Sequence, residues 1–369
     1  MSEKIIKTIC HYANERGHSH FSLEAKDDNL FCACGHGEDA NYLQLDPETE
    51  LNIKATFRRL VGANENDLFH NKRFKISDEE EVIKGRASLI PSTNGEKLLI
   101  SLSAEHPRIF RLSALGLNKT QQSDFKQAIN RKSGIIVIAA GEENGASSTY
   151  YSLLQAAATK RSAYSIEDFP LHKIEGINTI NSSHYDNLSQ VIEKLMILDS
   201  EVIAVDANLK ADDLKTLWRA ANSGRLVILT LATTSAAGAL KLLRHSGISS
   251  EEIAKQIIFI SAQKLFTRPC SRCAQIFDPG AEIKKIILKR WPIAKTHWPK
   301  KLFRPRGCAY CQKQRPPLKT AVFEIMHFLS DGRLQKGYEP LIKEALNKAG
   351  TGLVNIEEIA FWAQGDTKL

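Results

Sequence analysis

Apolar and polar positions follow two different patterns along the chain, and the pattern changes near residue 116. The earlier part mixes helical spacing with strand-like alternation. Helical spacing covers 1–17 and 46–62, and alternation typical of hairpin strands covers 21–35 and 73–104. Asp46 followed by Pro47 is a typical helix start. This part of the chain therefore predicts a small α+β domain.

From residue 118 onward, β-branched apolar runs alternate with helical patterns. The run IIVIAAG at 135–141 is apolar at almost every position, which predicts a strand buried on both faces. Further strands are expected at 162–168, 201–207 and 225–232, and helices at 118–134, 186–198, 210–222 and 235–245. This alternation predicts a parallel sheet with right-handed crossovers. After about residue 265 the apolar strands stop, and a last helical region is expected over 334–364.

Composition adds the size and class of the protein. The chain has 369 residues, of which 43% are hydrophobic and 25% charged, as in ordinary globular proteins of two or three domains. No apolar run is long enough to span a bilayer, and the N-terminus does not resemble a secretory signal. The net charge of +8 favours phosphate-rich or acidic partners. Residues 281–320 hold twelve Lys and Arg against one acid, Glu282.

Four of the seven cysteines form two C-x-x-C pairs separated by 34 residues: Cys270 and Cys273, then Cys308 and Cys311. Two such turns supply the four thiolates of a tetrahedral zinc site, which leaves no open position for catalysis. The site is either a structural clip that closes a long loop or part of a DNA-binding ribbon. A ribbon favours aromatic stacking residues at the turns. The turns hold one aromatic residue, Tyr310, so the clip is the preferred interpretation.

A second group of metal-ligand residues occurs in FCACGHG, where Cys32, Cys34 and His36 alternate. On a strand, these positions share one face and predict either a second metal site or an ordinary half-buried strand. Cysteine is one of the residues most often buried in protein cores, which favours the ordinary strand.

The turn after the first buried strand lies where a phosphate-binding loop is expected. The motif G-x-x-x-x-G-K-[ST] needs glycines for close approach of the backbone, a lysine for the phosphates and a hydroxyl for Mg²⁺. Here Ala146 and Ser147 occupy the positions of the second glycine and the lysine. The residues expected at a degenerate nucleotide-binding site are Gly141, Gly145, Ser147, Ser148 and Thr149, together with Glu167 and Asp206.

In the order of its segments, the chain resembles the type II secretion and type IV pilus assembly ATPases, in their zinc-bearing branch. The segments that carry the resemblance are SLIPSTNGEKLLISLS (88–103), GIIVIAAGEENGASSTYYSLL (134–154), YSIEDFPLHKIEGIN (164–178), EVIAVDANL (201–209), SGRLVILTLATTSA (223–236), SAQKLFTRPCSRC (261–273), GCAYC (307–311) and AVFEIMHF (321–328). In that family they correspond to the end of the second N-terminal domain, the phosphate loop, the acidic box, the Walker B strand, the histidine box, the two halves of the zinc region and the strand after it.

The resemblance implies a fold and an organisation. It implies a RecA-like parallel-sheet domain of the P-loop type over 116–369, with a smaller α+β domain over 1–115. A Cys₄ zinc-binding insertion is expected at 268–315 within the larger domain. Family members form hexameric rings that bind ATP and Mg²⁺, and N-terminal-domain arginines complete the neighbouring subunit's site. Arg73 and Arg86 correspond to two of those arginines.

The departures from the family fall on its chemistry. Ser147 replaces the phosphate-loop lysine, Ala207 replaces the catalytic glutamate after Asp206, and Ala232 replaces the box histidine. Acidic-box residues remain at Glu167 and Asp168, and Glu142 and Glu143 add negative charge beside the loop. Loss of a general base alone costs a factor of about 10²–10⁴ in rate. Together the losses predict a retired site that does not use ATP and Mg²⁺.

Three functions follow from this comparison, and we prefer the first. The chain is expected to be a catalytically degenerate subunit, structural or regulatory, of a pilus or secretion machine. It would lie in the cytoplasm at the inner face of the membrane, in a homo- or hetero-hexamer. Its partners would be a membrane platform protein or an active ATPase paralogue. The alternatives are a divergent active ATPase and a zinc-ribbon protein that binds nucleic acid, a partner that we do not expect.

Overall fold

The computed structural model divides the chain into two compact units, residues 1–107 with 309–317, and residues 108–308 with 318–369. The structure describes residues 2–15, 20–26, 29–34, 41–64, 67–77, 82–92, 95–102, 109–141, 144–168, 170, 172–293, 297–313, 318–329, 333–335 and 337–364. None of the helices in these ranges has the length and apolar character that a membrane span requires.

Among the described residues of 1–107, the first unit combines an antiparallel sheet with two helices. The strand order is β3-β2-β1-β6-β5-β4. The elements are α1 (Ser2–Glu15), β1 (His20–Lys26), β2 (Asn29–Cys34), β3 (Asn41–Leu45), α2 (Pro47–Val61), β4 (Phe69–Ser77), β5 (Val82–Ser92) and β6 (Gly95–Leu102). Ile6 and Ile9 of α1 and Phe57 of α2 share a core with the sheet. The predicted start of α2 is confirmed, because the Asp46 side chain accepts a hydrogen bond from the Thr49 amide at 2.9 Å.

The second unit is built on a seven-stranded sheet in the order β15-β12-β7-β11-β10-β8-β9. Its elements are α3 (Lys119–Ile129), β7 (Gly134–Ala140), α4 (Ala146–Ala157), β8 (Ala163–Glu167), β9 (Ile177–Asn181), α5 (Leu188–Ile197), β10 (Val202–Asp206), α6 (Ala211–Asn222), β11 (Leu226–Leu231), α7 (Ala236–His245), α8 (Ser250–Gln256), β12 (Ile257–Thr267), β13 (Ala274–Phe277), α9 (Gly280–Arg290), β14 (Leu302–Pro305), β15 (Lys319–Met326), α11 (Leu341–Gly350) and α12 (Ile356–Gln364). The short helix α10 (Ala309–Lys313) lies between β14 and β15 in the chain and is grouped with the first unit.

The core of this sheet agrees with the hydrophobic pattern. All seven residues of β7 are buried, as the unbroken apolar run predicted. β7 pairs in parallel with β11 on one side and β12 on the other, while β15 joins β12 antiparallel. β13 and β14 form a separate two-stranded antiparallel sheet. The predicted parallel sheet is therefore confirmed.

The hydrophobic pattern did not predict two of the strands, nor the division of the last helical region into two helices. β9 is a short edge strand with exposed polar positions, and β12 carries Ser261 and Gln263 in its buried part, so neither shows the expected unbroken apolar run. The helical region predicted over 334–364 is divided into α11 and α12, and Gly352 lies between them with φ 75°. The helix predicted over 118–134 ends at Ile129.

Candidate functional site

The residues predicted to bind a nucleotide lie at the edge of the seven-stranded sheet that is formed by the carboxyl ends of its parallel strands. β7, β8, β10 and β11 run parallel, so their carboxyl ends meet at this edge, where ligands bind in open α/β sheets. Gly141 follows β7, Glu167 ends β8 and Asp206 ends β10. Glu167 and Asp206 are register partners in neighbouring strands. The fold thus brings the phosphate-loop segment and both acids to the same edge.

The loop before α4 and the first turn of α4 are attached to β12 by three hydrogen bonds. The Asn144 side-chain oxygen accepts from the Leu265 amide at 3.1 Å, and its backbone oxygen accepts from the Gln263 amide group at 2.7 Å. Gln263 also accepts a hydrogen bond from the Thr149 hydroxyl at 2.7 Å. Gly145 has φ 81°, a left-handed conformation that favours glycine. One hydroxyl predicted to face a nucleotide is therefore engaged by the protein itself.

The first turn of α4 carries small hydroxyl groups in place of a cation. Ser147 and Ser148 are half-buried there, and no side chain caps the start of the helix. The free N-terminal amides of a helix attract anions, but they supply only a partial positive charge. Ser147 adds no charge at the position where the motif places lysine.

The carboxylates of the site accept hydrogen bonds from neutral groups. The Tyr151 hydroxyl donates to Glu167, and the Thr230 hydroxyl donates to Asp206 at 2.6 Å. Asp168 accepts from the Ser182 hydroxyl and from the Asn208 amide, the latter at 2.9 Å. Hydroxyl and amide donors orient these acids without neutralising them.

Two buried tyrosines of α4 lie close to the acids of the site, and a histidine contacts one of them. Burial raises the pKa of Tyr150 well above its ordinary value, and the negative charges of Glu167 and Asp206 raise it further. The rings of Tyr151 and His172 meet edge to face, with centroids 4.5 Å apart. Burial lowers the pKa of His172, so its imidazole is mostly neutral at neutral pH. Aromatic side chains therefore lie beside the acids of the site.

The other positions that correspond to family motifs are placed as follows. Ala207 follows β10 and is half-buried, while Ala232 follows β11 and is exposed. In the first unit, Arg73 and Arg86 are opposite each other in the antiparallel pair β4–β5. Their predicted role toward a neighbouring subunit stays a prediction.

Some predicted residues cannot be placed in a site. Glu142, Glu143 and His36 lie outside the described residues. Cys32 is buried in the core of the first unit, and Cys34 ends β2. A second metal site at these residues therefore stays a prediction.

The four cysteines of the two C-x-x-C turns come together as predicted. Their Sγ atoms, from Cys270, Cys273, Cys308 and Cys311, all lie within 4.8 Å of one another. Tetrahedral zinc with Zn–S bonds of about 2.3 Å separates its sulfur ligands by about 3.8 Å, so the set fits this metal. Four thiolates complete the tetrahedron and leave no position for substrate.

A hairpin brings the two turns together. β13 begins directly after Cys273, and its pairing with β14 places Ala274 opposite Pro305. The Arg306 amide then donates to the Cys273 oxygen at 3.2 Å, which positions the second turn beside the first. The spacing of 34 residues is thus the length of a hairpin that carries α9 between its strands.

Comparison with known proteins agrees with this geometry. The family model described as "Type II/IV secretion system protein" matches residues 50–353, more than half of the chain. The chain belongs to this family. The resemblance inferred from the sequence motifs is therefore confirmed.

Relatives within the type II/IV secretion family include proteins of several bacteria. The putative type II secretion system protein E of Escherichia coli is 26% identical over 292 residues, which cover 74% of this chain and 58% of the relative. The type IV pilus assembly ATPase PilB of Thermus thermophilus is 26% identical over 336 residues, which cover 85% of this chain and 37% of the relative. The chain spans about half the length of the curated relatives it matches.

Solved structures share the fold of this family member. The Legionella pneumophila ATPase DotB superposes with a TM-score of 0.65 at 12% identity, covering 97% of this chain and 95% of DotB. The pilus retraction motor PilT, solved with ADP, gives 0.62 at 17% identity, covering 98% of each chain. The predicted fold class, a parallel-sheet P-loop-type domain with a smaller α+β domain, is confirmed.

The residues of the site that sequence reasoning missed include Asn144, Tyr151, Thr230 and Gln263. Gln263 had a usable signal, because it is a polar residue inside the apolar segment of a strand. Asn144 and Tyr151 had none, since their partners are distant in sequence or lie on another element.

Proposed function

We propose that this chain is a catalytically degenerate member of the secretion ATPase family, acting as a structural or regulatory subunit of a secretion or pilus-assembly machine. Relatives named as type IV pilus assembly ATPases support a role in such a machine. The residues of the candidate nucleotide site support the loss of ATP turnover. The observation that carries the proposal is the neutral residue Ser147 at the head of α4, on the edge that holds Glu167 and Asp206.

The charges of the side chains at this edge argue against binding of a triphosphate. Phosphoryl transfer depends on positive groups that stabilise charge on the phosphate oxygens. Ser147 supplies no such charge, and the side chains that end β8 and β10 are acids rather than cations. Amides at an exposed helix end contribute about 0.3–1 kcal/mol, which does not replace a lysine. Without a carboxylate at position 207, a bound nucleotide would also lack the family's catalytic base.

The remaining assignments belong to the same proposal. The chain would join a homo- or hetero-hexamer in the cytoplasm, at the inner face of the membrane, with a platform protein or an active paralogue as partner. Zn²⁺ bound by the four cysteines would be structural. Arg73 and Arg86 would complete an active neighbour's site. In a reconstituted mixed ring, Arg73→Ala with Arg86→Ala should lower the partner's ATPase rate, and an unchanged rate would remove this role.

Titration with a fluorescent ATP analogue and Mg²⁺ tests whether the chain has lost the ability to bind nucleotide. We expect no saturable binding below about 1 mM for the natural chain. The variant Ala146→Gly with Ser147→Lys recreates the full motif from Gly141 to Ser148. It should gain about 10- to 100-fold in affinity, because a charged hydrogen bond to phosphate contributes about 1.5–3 kcal/mol.

Turnover provides the control for this titration. The double variant should bind without hydrolysing ATP, because Ala207 is unchanged. Micromolar binding with steady hydrolysis by the natural chain would overturn the proposal and establish the divergent active ATPase instead. If the double variant gains no affinity for the ATP analogue, Ser147 is not the cause of weak nucleotide binding.

A further inference from the structure

The two acids that end β8 and β10 point to the face of the sheet that α4 covers. Side chains alternate between the two faces of a strand, so Glu167 points to the same side as Ala163. By the same rule Asp206 points to the same side as Ala204. Both alanines belong to the core that the tyrosines of α4 share with the sheet. The two carboxylates therefore lie on the side of α4.

Tyr150 and Tyr151, which we name the tyrosine cap, cover Glu167 from the second turn of α4. Both tyrosines are buried, and Glu167 is only 1% exposed. The Tyr151 hydroxyl donates a hydrogen bond to the Glu167 carboxylate. The two rings of the cap meet edge to face with centroids 5.3 Å apart, and the His172 ring also contacts Tyr151. The cap thus keeps Glu167 away from solvent.

Relatives named as ATPases imply a Mg²⁺ ion at this edge, but the oxygen atoms found there do not fit it. Mg²⁺ takes six oxygen ligands at about 2.0–2.1 Å and usually keeps several waters among them. Glu167 is closed to water, and its carboxylate accepts from Tyr151. The Asp206 carboxylate accepts from the Thr230 hydroxyl at 2.6 Å. Hydroxyl donors of the protein therefore occupy the positions on these acids that a hydrated cation requires.

The two tyrosines of the cap differ in what their hydroxyls do. The Tyr150 hydroxyl is fully buried and makes no hydrogen bond with a described residue. A buried hydroxyl without a partner destabilises a fold, whereas one that donates to a buried carboxylate stabilises it. Changing each tyrosine to phenylalanine therefore separates the effect of the Tyr151 hydrogen bond from that of the aromatic rings.

We propose that the tyrosine cap closes the metal side of the degenerate nucleotide site. The Tyr151 hydroxyl takes the place of a cation on Glu167, and the two rings keep water out. This closure is independent of Ser147, because a lysine restored at that position would leave Glu167 covered. The inference deepens the proposed function, on whose assignment of a degenerate nucleotide site it rests, by adding a second cause for the loss of ATP chemistry.

Titration of the zinc-loaded full chain with Mn²⁺, followed by electron paramagnetic resonance, tests the closure without nucleotide. Mn²⁺ binds the same oxygen ligands as Mg²⁺. We expect no saturable binding to the natural chain below about 1 mM. Tyr151→Leu should bind Mn²⁺ with a Kd of about 10–100 μM, because the cation no longer competes with a hydrogen bond to the carboxylate. Mn²⁺ should also raise the urea midpoint of this variant, but not that of the natural chain.

Two further variants control this titration. Glu167→Gln added to Tyr151→Leu should abolish the gain in Mn²⁺ affinity, because the amide carries no negative charge. Tyr164→Phe is the matched control, since it removes a tyrosine hydroxyl from β8 at a half-buried position against the other core of the sheet. It should leave Mn²⁺ binding unchanged.

Urea denaturation of the two phenylalanine variants tests the cap even if Tyr151→Leu does not fold. Tyr151→Phe should lower the urea midpoint by about 0.5 M, because a buried carboxylate loses a donor. Tyr150→Phe should leave the midpoint unchanged or raise it, because it removes a hydroxyl that makes no hydrogen bond.

Three results would each overturn the closure. They are micromolar Mn²⁺ binding by the natural chain that Glu167→Gln abolishes, a folded Tyr151→Leu variant that gains no affinity for Mn²⁺, and equal losses of stability in the two phenylalanine variants. Every measurement omits nucleotide and leaves Ser147 unchanged. Failure of the restored phosphate loop to bind the ATP analogue would therefore count against the proposed function and not against the cap.

Discussion

Replacing Cys270 and Cys308 by serine is expected to abolish zinc binding and to unfold the hairpin that joins the two turns. Each C-x-x-C pair would lose one thiolate, and two sulfurs do not complete a tetrahedral zinc site. Structural zinc contributes roughly 10–16 kcal/mol of binding free energy in small zinc domains, much of it coupled to folding. Zinc per chain, measured by plasma mass spectrometry, should fall from about one to near zero.

The seven-stranded sheet should survive this change. Its core of β7, β11, β10 and β12 does not include the cysteines. Circular dichroism should therefore retain a folded signal, while limited proteolysis should cut near β13 and β14. Cys10→Ala is the matched control, since Cys10 lies in the core of the first unit and outside the four-cysteine group. A metal-free natural chain, or a loss of zinc on changing Cys10, would contradict the assignment.

Replacing Glu324 by alanine is expected to destabilise the second unit by about 3–5 kcal/mol. Glu324 is 3% exposed on β15, and its carboxylate joins two helix starts. It accepts from the Ala236 amide of α7 at 2.7 Å and from the Leu341 amide of α11 at 2.7 Å. The Tyr338 hydroxyl donates a third hydrogen bond at 2.9 Å. Removal leaves three donors unsatisfied, each costing about 1–3 kcal/mol when buried.

Urea denaturation monitored by fluorescence measures this loss through the shift of the midpoint at constant slope. Tyr338→Phe should cost about 1 kcal/mol, because it removes one donor together with one hydrogen bond. Glu339→Ala is the surface control. Its pair with Lys343 is 3.7 Å apart and partly exposed, so the change should fall within about 0.5 kcal/mol. Equal effects of Glu324→Ala and Glu339→Ala would contradict the role of the buried carboxylate.

Much of the candidate site could be predicted because its features are local in sequence. The replacement of lysine by Ser147 is visible in one short motif, and so are the two C-x-x-C turns. The placement of Glu167 and Asp206 at one edge follows from the rule that parallel strands end on the same side. The structure adds their donors, Tyr151 and Thr230, and the attachment of the loop to β12.

The sequence by itself determined the parallel strands β7, β8, β10 and β11, the four candidate metal ligands and the absence of the phosphate-loop lysine, since residue type and short-range spacing encode each of them. Tertiary structure alone decided which distant polar groups meet. Glu324 is 88 residues from Ala236, and Gln263 is 114 residues from Thr149. Hydrophobic periodicity specifies which face of an element is buried, but not which buried polar side chain meets which backbone. The hydrogen-bond partners of buried polar groups are set only when the strands and helices pack. A buried polar group left without a partner destabilises the fold, so the packing that pairs these groups is favoured.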